Sequence, residues 1–141
     1  MWPKTFDQRL TDWYHLRQAV KDLPLASCLE AVNSWWFLTP WQPYYLHWDD
    51  RQTWPNPWQL LSDNTYCDLA RGLGILYTIT LLDRADIKSA DLVLTESGLN
   101  LVQVNKTKYI LNWSHDNIVN TSQEVKIIKK LTQEQVSKQY N

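Results

Sequence analysis

The sequence predicts an α+β fold: an N-terminal helical hairpin, a Trp/Pro-rich connector, and a central helix packed on a small antiparallel sheet. Three observations carry that reading. Apolar residues recur at helical spacing through Leu82. Beyond Asp83-Arg84 they alternate instead, the period of a half-buried strand. Between the first helices and the central one, six of the nine tryptophans fall between positions 35 and 58, interleaved with Pro40, Pro43, Pro55 and Pro57. Indole rings are costly to expose and proline removes backbone donors, so that stretch is expected to be irregular yet packed, against its own domain or another molecule.

Residues 5–37 read as the hairpin. Thr5 is placed to cap a helix running through Phe6, Leu10, Trp13, Tyr14, Arg17 and Val20. Pro24 sits where a first helical turn tolerates it, and Leu25, Cys28, Leu29, Val32, Trp35 and Trp36 form the apolar stripe of a second helix. Residues 38–63 are the connector, expected to be neither regular helix nor strand. It repeats a Pro-Trp step in Thr39-Pro40-Trp41 and Asn56-Pro57-Trp58 around a block of Tyr44, Tyr45, Leu46, His47 and Trp48 and a turn at Asp49-Asp50-Arg51. A connection longer than the usual ~4–6 residues points to a functional or interface segment.

The central helix is placed over residues 64–83, capped by Asp63 or Asn64, with Tyr66, Leu69, Ala70, Leu73, Leu76, Tyr77, Thr80 and Leu81 buried. Gly72 and Gly74 each cost a helix about 1 kcal/mol relative to alanine. With Cys67, Ala70 and Thr78 they form a strip of small residues that another backbone is expected to approach. The sheet covers residues 91–132. Its strands are centred on Leu92, Val93 and Leu94, then on residues 99–104 and 108–112 about a turn at Asn105-Lys106-Thr107. Residues 124–132 are a fourth strand or a helix start, with Val125, Ile127 and the lysines favouring the strand; residues 133–141 form a polar helical tail. A chain of 141 residues is expected to form one domain.

Composition narrows the function. A net charge of −1 argues against a nucleic-acid partner, which selects a strongly basic face. Residues 1–100 carry 8 Lys/Arg against 12 Asp/Glu and residues 101–141 carry 6 against 3, an asymmetry that suits contact between acidic and basic surfaces. The longest apolar run, residues 72–82, is too short to span a bilayer, and Met1-Trp2-Pro3-Lys4 leads straight into a polar segment without a cleavable signal. Two cysteines make no disulfide framework, which points to a reducing, cytoplasmic compartment.

Cys67, expected in the first turn of the central helix, is the sharpest candidate for chemistry, because the helix dipole stabilises a thiolate there. His115 and Asp116 are the only downstream His-Asp pair. A cysteine-headed helix followed by antiparallel strands resembles the transglutaminase and papain-like superfamily. That resemblance implies a cysteine hydrolase or acyltransferase using Cys67, His115 and Asp116. Against it, Asp68 sets a carboxylate beside the thiol, and the strand at residues 99–104 lacks the histidine such a layout uses. His47, Asp49 and Asp50 have metal-ligand chemistry without a second cluster, and His15 stands alone, so no metal or cofactor is expected. Gly72-Leu73-Gly74 does not follow a strand and is no phosphate loop.

The tryptophan block admits three readings. It caps the core; it supplies a protein interface through Trp35, Trp36, Trp41, Tyr44, Tyr45, Trp48, Trp54 and Trp58; or it offers indole faces to sugars beside Asp49, Asp50 and Gln52. The run Trp54-Pro55-Asn56-Pro57-Trp58-Gln59-Leu60-Leu61, followed by Asn64-Thr65-Tyr66-Cys67, resembles the small tryptophan-rich structural proteins of myovirus-type tailed phages. The resemblance implies a non-enzymatic virion component of tail, baseplate or neck, assembled in the host cytoplasm with other protein subunits or with itself. Contact would run through the connector and the two termini, with no nucleic-acid or membrane partner.

Overall fold

Thr5 opens the first helix as the sequence predicts: its hydroxyl accepts from the Gln8 amide while the Gln8 side chain accepts from the Thr5 amide. In a computed structural model of the chain, which describes residues 2–43, 46–64, 66–118 and 126–137, helix α1 (Phe6–Val20) and helix α2 (Leu25–Trp36) form the hairpin. Arg84 closes it from a distance, its Nη1 donating to the carbonyls of Val20, Lys21 and Leu23.

The connector departs from expectation. A 3-10 turn spans Trp48–Thr53, and helix α3 occupies Pro57–Asp63, so the stretch is not wholly irregular. The last of its four prolines is the reason. Pro57 at the first helical position loses no bond that a helix would make, and Asn56 forms a capping box with Gln59. Asn64 then ends α3 in the left-handed region at φ 57°. The central helix α4 (Asp68–Leu82) therefore starts later than predicted, with Cys67 as its cap in place of Asp63 or Asn64.

Strands β1 (Ala90–Thr95), β2 (Asn100–Val104), β3 (Tyr109–Leu111) and β4 (Ile127–Thr132) form one antiparallel sheet in the order β3-β2-β1-β4. Leu92 faces Val102 on one side and Leu131 on the other, and the β1–β4 register shifts between Leu94 and Thr95. Residues 119–125 lie outside the described part, so the expectation for Val125 is not addressed; the remainder of that segment is the fourth strand. A short helix α5 (Gln133–Ser137) follows it, and residues 138–141 are again outside the described part.

Alternation along the strands puts Ala90, Leu92, Val102 and Val104 into the main core with α4. Val93, Leu101 and Ile110 form a smaller cluster from the opposite alternation. The helices meet at one hydroxyl. Thr78 Oγ1 accepts from Trp13 Nε1 of α1 at 2.8 Å and from Trp36 Nε1 of α2 at 2.9 Å, and donates to the Gly74 carbonyl at 2.7 Å. A hydroxyl has one proton and two lone pairs, and here all are used. The predicted small-residue strip is divided: Gly74 lies under the Trp36 indole at this junction, whereas Gly72 faces the sheet, where a Cβ would stand 3.1 Å from Leu92 Cδ1 and 3.9 Å from the Asn100 carbonyl. A Cβ built on Gly74 would stand 2.5 Å from Trp36 Cη2.

Two substitutions check this junction by chemical denaturation. Thr78→Val keeps the shape but orphans two buried N–H groups, and is expected to lose about 2–4 kcal/mol, whereas Thr78→Ser keeps the oxygen and loses about 1 kcal/mol. Gly74→Ala gains about 1 kcal/mol of helix propensity but drives into a ring fixed by its own hydrogen bond; overpacking wins, with a net loss of about 1–2 kcal/mol.

Candidate functional site: a cleft at the head of α4

The head of α4 is tied to the sheet by a compact polar network. Asp68 Oδ2 accepts from the Asn100 amide at 2.7 Å and from Asn100 Nδ2 at 3.2 Å. Its Oδ1 accepts from Asn112 Nδ2 at 3.2 Å and from Arg71 Nη2 at 3.4 Å. Arg71 Nε donates to Asn112 Oδ1 at 2.6 Å, and the guanidinium lies 3.9 Å above the Phe37 ring. Burial lowers the Arg71 pKa, with Asp68 pulling the other way. Asn112 adopts φ 66°, a conformation that asparagine tolerates better than most residues, and its amide donates to Asn33 Oδ1 of α2.

The connector folds back over this network and leaves a cleft of about 500 Å³, lined among others by Trp41, His47, Trp48, Asp49, Asn100 and Lys129. Trp48 is half-buried. Its Nε1 donates to Asn100 Oδ1 at 2.6 Å, which joins the connector to the Asp68 network, and its ring meets Trp54 edge-on at 5.5 Å. At the rim Lys129 Nζ of β4 donates to Asp49 Oδ1 at 2.8 Å, and that bond is the main cause holding the Asp49 pKa below its ordinary value. The aspartate side chain is 87% exposed and the lysine 45%, so the pair adds little stability.

Trp41 is placed by its backbone. The Tyr66 amide donates to the Pro40 carbonyl at 3.2 Å and the Gln42 amide to the Tyr66 carbonyl at 2.7 Å, so both neighbours of Trp41 are pinned in a parallel bridge. The indole is 63% exposed and, among the described residues, makes neither a hydrogen bond nor a ring contact. Trp2, Trp13, Trp35, Trp36, Trp48 and Trp54 all have indole N–H partners.

The expected interface residues are thus divided. Trp35, Trp36 and Trp54 are core side chains, a correction to their reading as partner contacts. Trp35 bonds Asp12, and Trp54 bonds the His47 carbonyl. Trp41 and Trp58 remain exposed and Trp48 opens onto the cleft, while Tyr44 and Tyr45 lie outside the described residues. Trp2 is engaged within its own domain: it packs on Trp35, Trp36 and Tyr66 and bonds Asn64 Oδ1.

Cys67, His115 and Asp116 do not form a hydrogen-bonded triad. The Cys67 sulfur accepts from the Ala70 amide, and no described histidine bonds it. The His115 ring meets Phe37 edge-on and Asp116 accepts from Ser114 Oγ. His47, to which the sequence assigns only metal-ligand chemistry, is the histidine that lines the cleft with Cys67. Among the described residues there is no cluster of three or more His, Cys, Asp or Glu that could hold a metal, and no helix long and apolar enough to cross a membrane. Comparison with protein-family models, curated proteins and solved structures gives no match to this chain.

Two outcomes follow. Asp68→Ala leaves Arg71 partly buried without its carboxylate and is expected to cost about 2–3 kcal/mol in urea unfolding, below the range for a fully buried pair because water reaches Asp68. Cys67, capped and 6% exposed, is expected to react with iodoacetamide no faster than a model thiol in the native protein.

Proposed function

We propose that this chain is a non-enzymatic interaction protein that receives a partner in the cleft at Trp41. The resemblance to tailed-phage structural proteins makes a virion component the assembly in which it would serve. One observation carries the reading: the backbone on both sides of Trp41 is hydrogen-bonded, yet its indole is exposed and its N–H has no partner among the described residues. Burying such a ring within the domain would gain about 2 kcal/mol or more, so a fold that displays it forgoes stability for contact. An exposed aromatic anchor on a fixed backbone is the usual form of a binding hot spot. The core position of three of the other tryptophans narrows the contact from the whole connector to the cleft.

The cysteine-hydrolase reading has less support, because the sulfur's hydrogen-bond partner is a backbone amide and not a base. Hydroxyl-radical footprinting checks the interaction reading even while the partner is unidentified. Trp41 is expected to be oxidised more slowly in a native extract of the producing cells than in the purified chain. Equal oxidation of Trp41 in the two samples would remove the proposal.

A further inference from the structure

The chemistry of the cleft further selects what it holds, an inference that rests on the binding role just proposed. We infer that the cleft at Trp41 is a saccharide site, taking an uncharged oligosaccharide with one ring stacked on the Trp41 indole. The cleft is half-open, and its volume of about 500 Å³ lies within the range of small-ligand pockets.

Charge is the next discriminator. Asp49 is paired with Lys129 at the rim and Asp68 with Arg71 beneath it, so among the described residues the cleft's carboxylates are each matched by a cation. The deeper polar groups are already engaged: Asn100 Oδ1 accepts from Trp48, Asn100 Nδ2 donates to Asp68, and both Asp68 oxygens accept bonds. Capacity is left at the mouth. The Trp41 N–H has no partner, the exposed His47 imidazole makes no hydrogen bond among the described residues, and Asp49 and Lys129 bond only each other through one oxygen and one ammonium proton. A carboxylate beside an ammonium offers acceptors and donors side by side. A sugar hydroxyl is both donor and acceptor, and a pyranose carries several on its edge while presenting C–H groups from its face. An indole face with mixed donors and acceptors around it fits that combination. The edge of β4 is a weaker alternative for a peptide added as a strand, because Lys126, Lys129 and Lys130 are each drawn into ion pairs along it.

The experiment is a titration of the full chain with cellohexaose, maltohexaose, chitohexaose and a mannan-derived hexasaccharide, read by tryptophan fluorescence and confirmed by calorimetry. At least one probe is expected to shift the emission. Trp41→Ala should weaken that binding about tenfold or more, Trp41→Phe less, and Trp113→Ala, which removes an exposed indole away from the cleft, should leave it unchanged. Circular dichroism of each variant confirms the native fold. Binding that survives Trp41→Ala, or that is lost equally in Trp113→Ala, overturns the site. Silence across all four probes overturns the saccharide assignment. If Trp41 is nevertheless protected in the native extract, the binding reading stands with a protein segment as occupant.

Discussion

The Thr78 hydroxyl is the constraint on which the arrangement of the helices depends. It is fully buried, and it satisfies two indole N–H groups from two different helices with a single atom. Large aromatic side chains contribute much of the apolar burial in a small domain, but each tryptophan brings a donor that must be paired once water is excluded. Directing Trp13 and Trp36 at the same oxygen solves that problem twice and fixes how α1 and α2 lie on α4. Gly74, one turn earlier, removes the Cβ that would otherwise hold the Trp36 ring away from that oxygen.

A second fixed point at the other side of α4 turns this scaffold toward function. Asp68, Arg71, Asn100 and Asn112 lock the first turn of α4 to β2 and to the segment after β3. Trp48 joins that network through Asn100, and the Tyr66 bridge holds the chain around Trp41. The cleft is therefore bounded by elements whose polar groups are already satisfied internally. Among the described residues its free valences lie at the mouth, so the proposed ligand would meet a surface that needs no reorganisation, a condition that lowers the entropic cost of binding.

Where a signal was local, the sequence made it legible. The Thr5 cap, the change of period after Asp83 and the turn at Asn105-Lys106 all depend on residues within a few positions of one another. Asn56-Pro57 carries an equally local helix-start signal, but the surrounding prolines and tryptophans obscure it. Asn64 resembles a cap for α4 because asparagine suits both a helix start and a left-handed stop; here it is the stop of α3, with its Oδ1 taken by the Trp2 indole. Of the cleft, the sequence offered Trp41, His47, Trp48 and Asp49 as candidates but not the far wall that closes it. Asp49 meets Lys129 across 80 positions and Trp48 meets Asn100 across 52, and no periodicity specifies such pairs. Composition also does not distinguish the tryptophans that fill the core from those left exposed, Trp41 foremost among them, because that division depends on tertiary packing.

That division is the central claim, and the most direct test is hydrogen exchange of the indole N–H groups followed by NMR on the native chain. Exchange of the Trp13 and Trp36 indoles should be the slowest, reporting opening of the whole core, while Trp41 exchanges at close to the rate of a free indole. Protection of Trp41 in the isolated protein would contradict the displayed ring, and free exchange of Trp13 and Trp36 would contradict the hydroxyl-centred core.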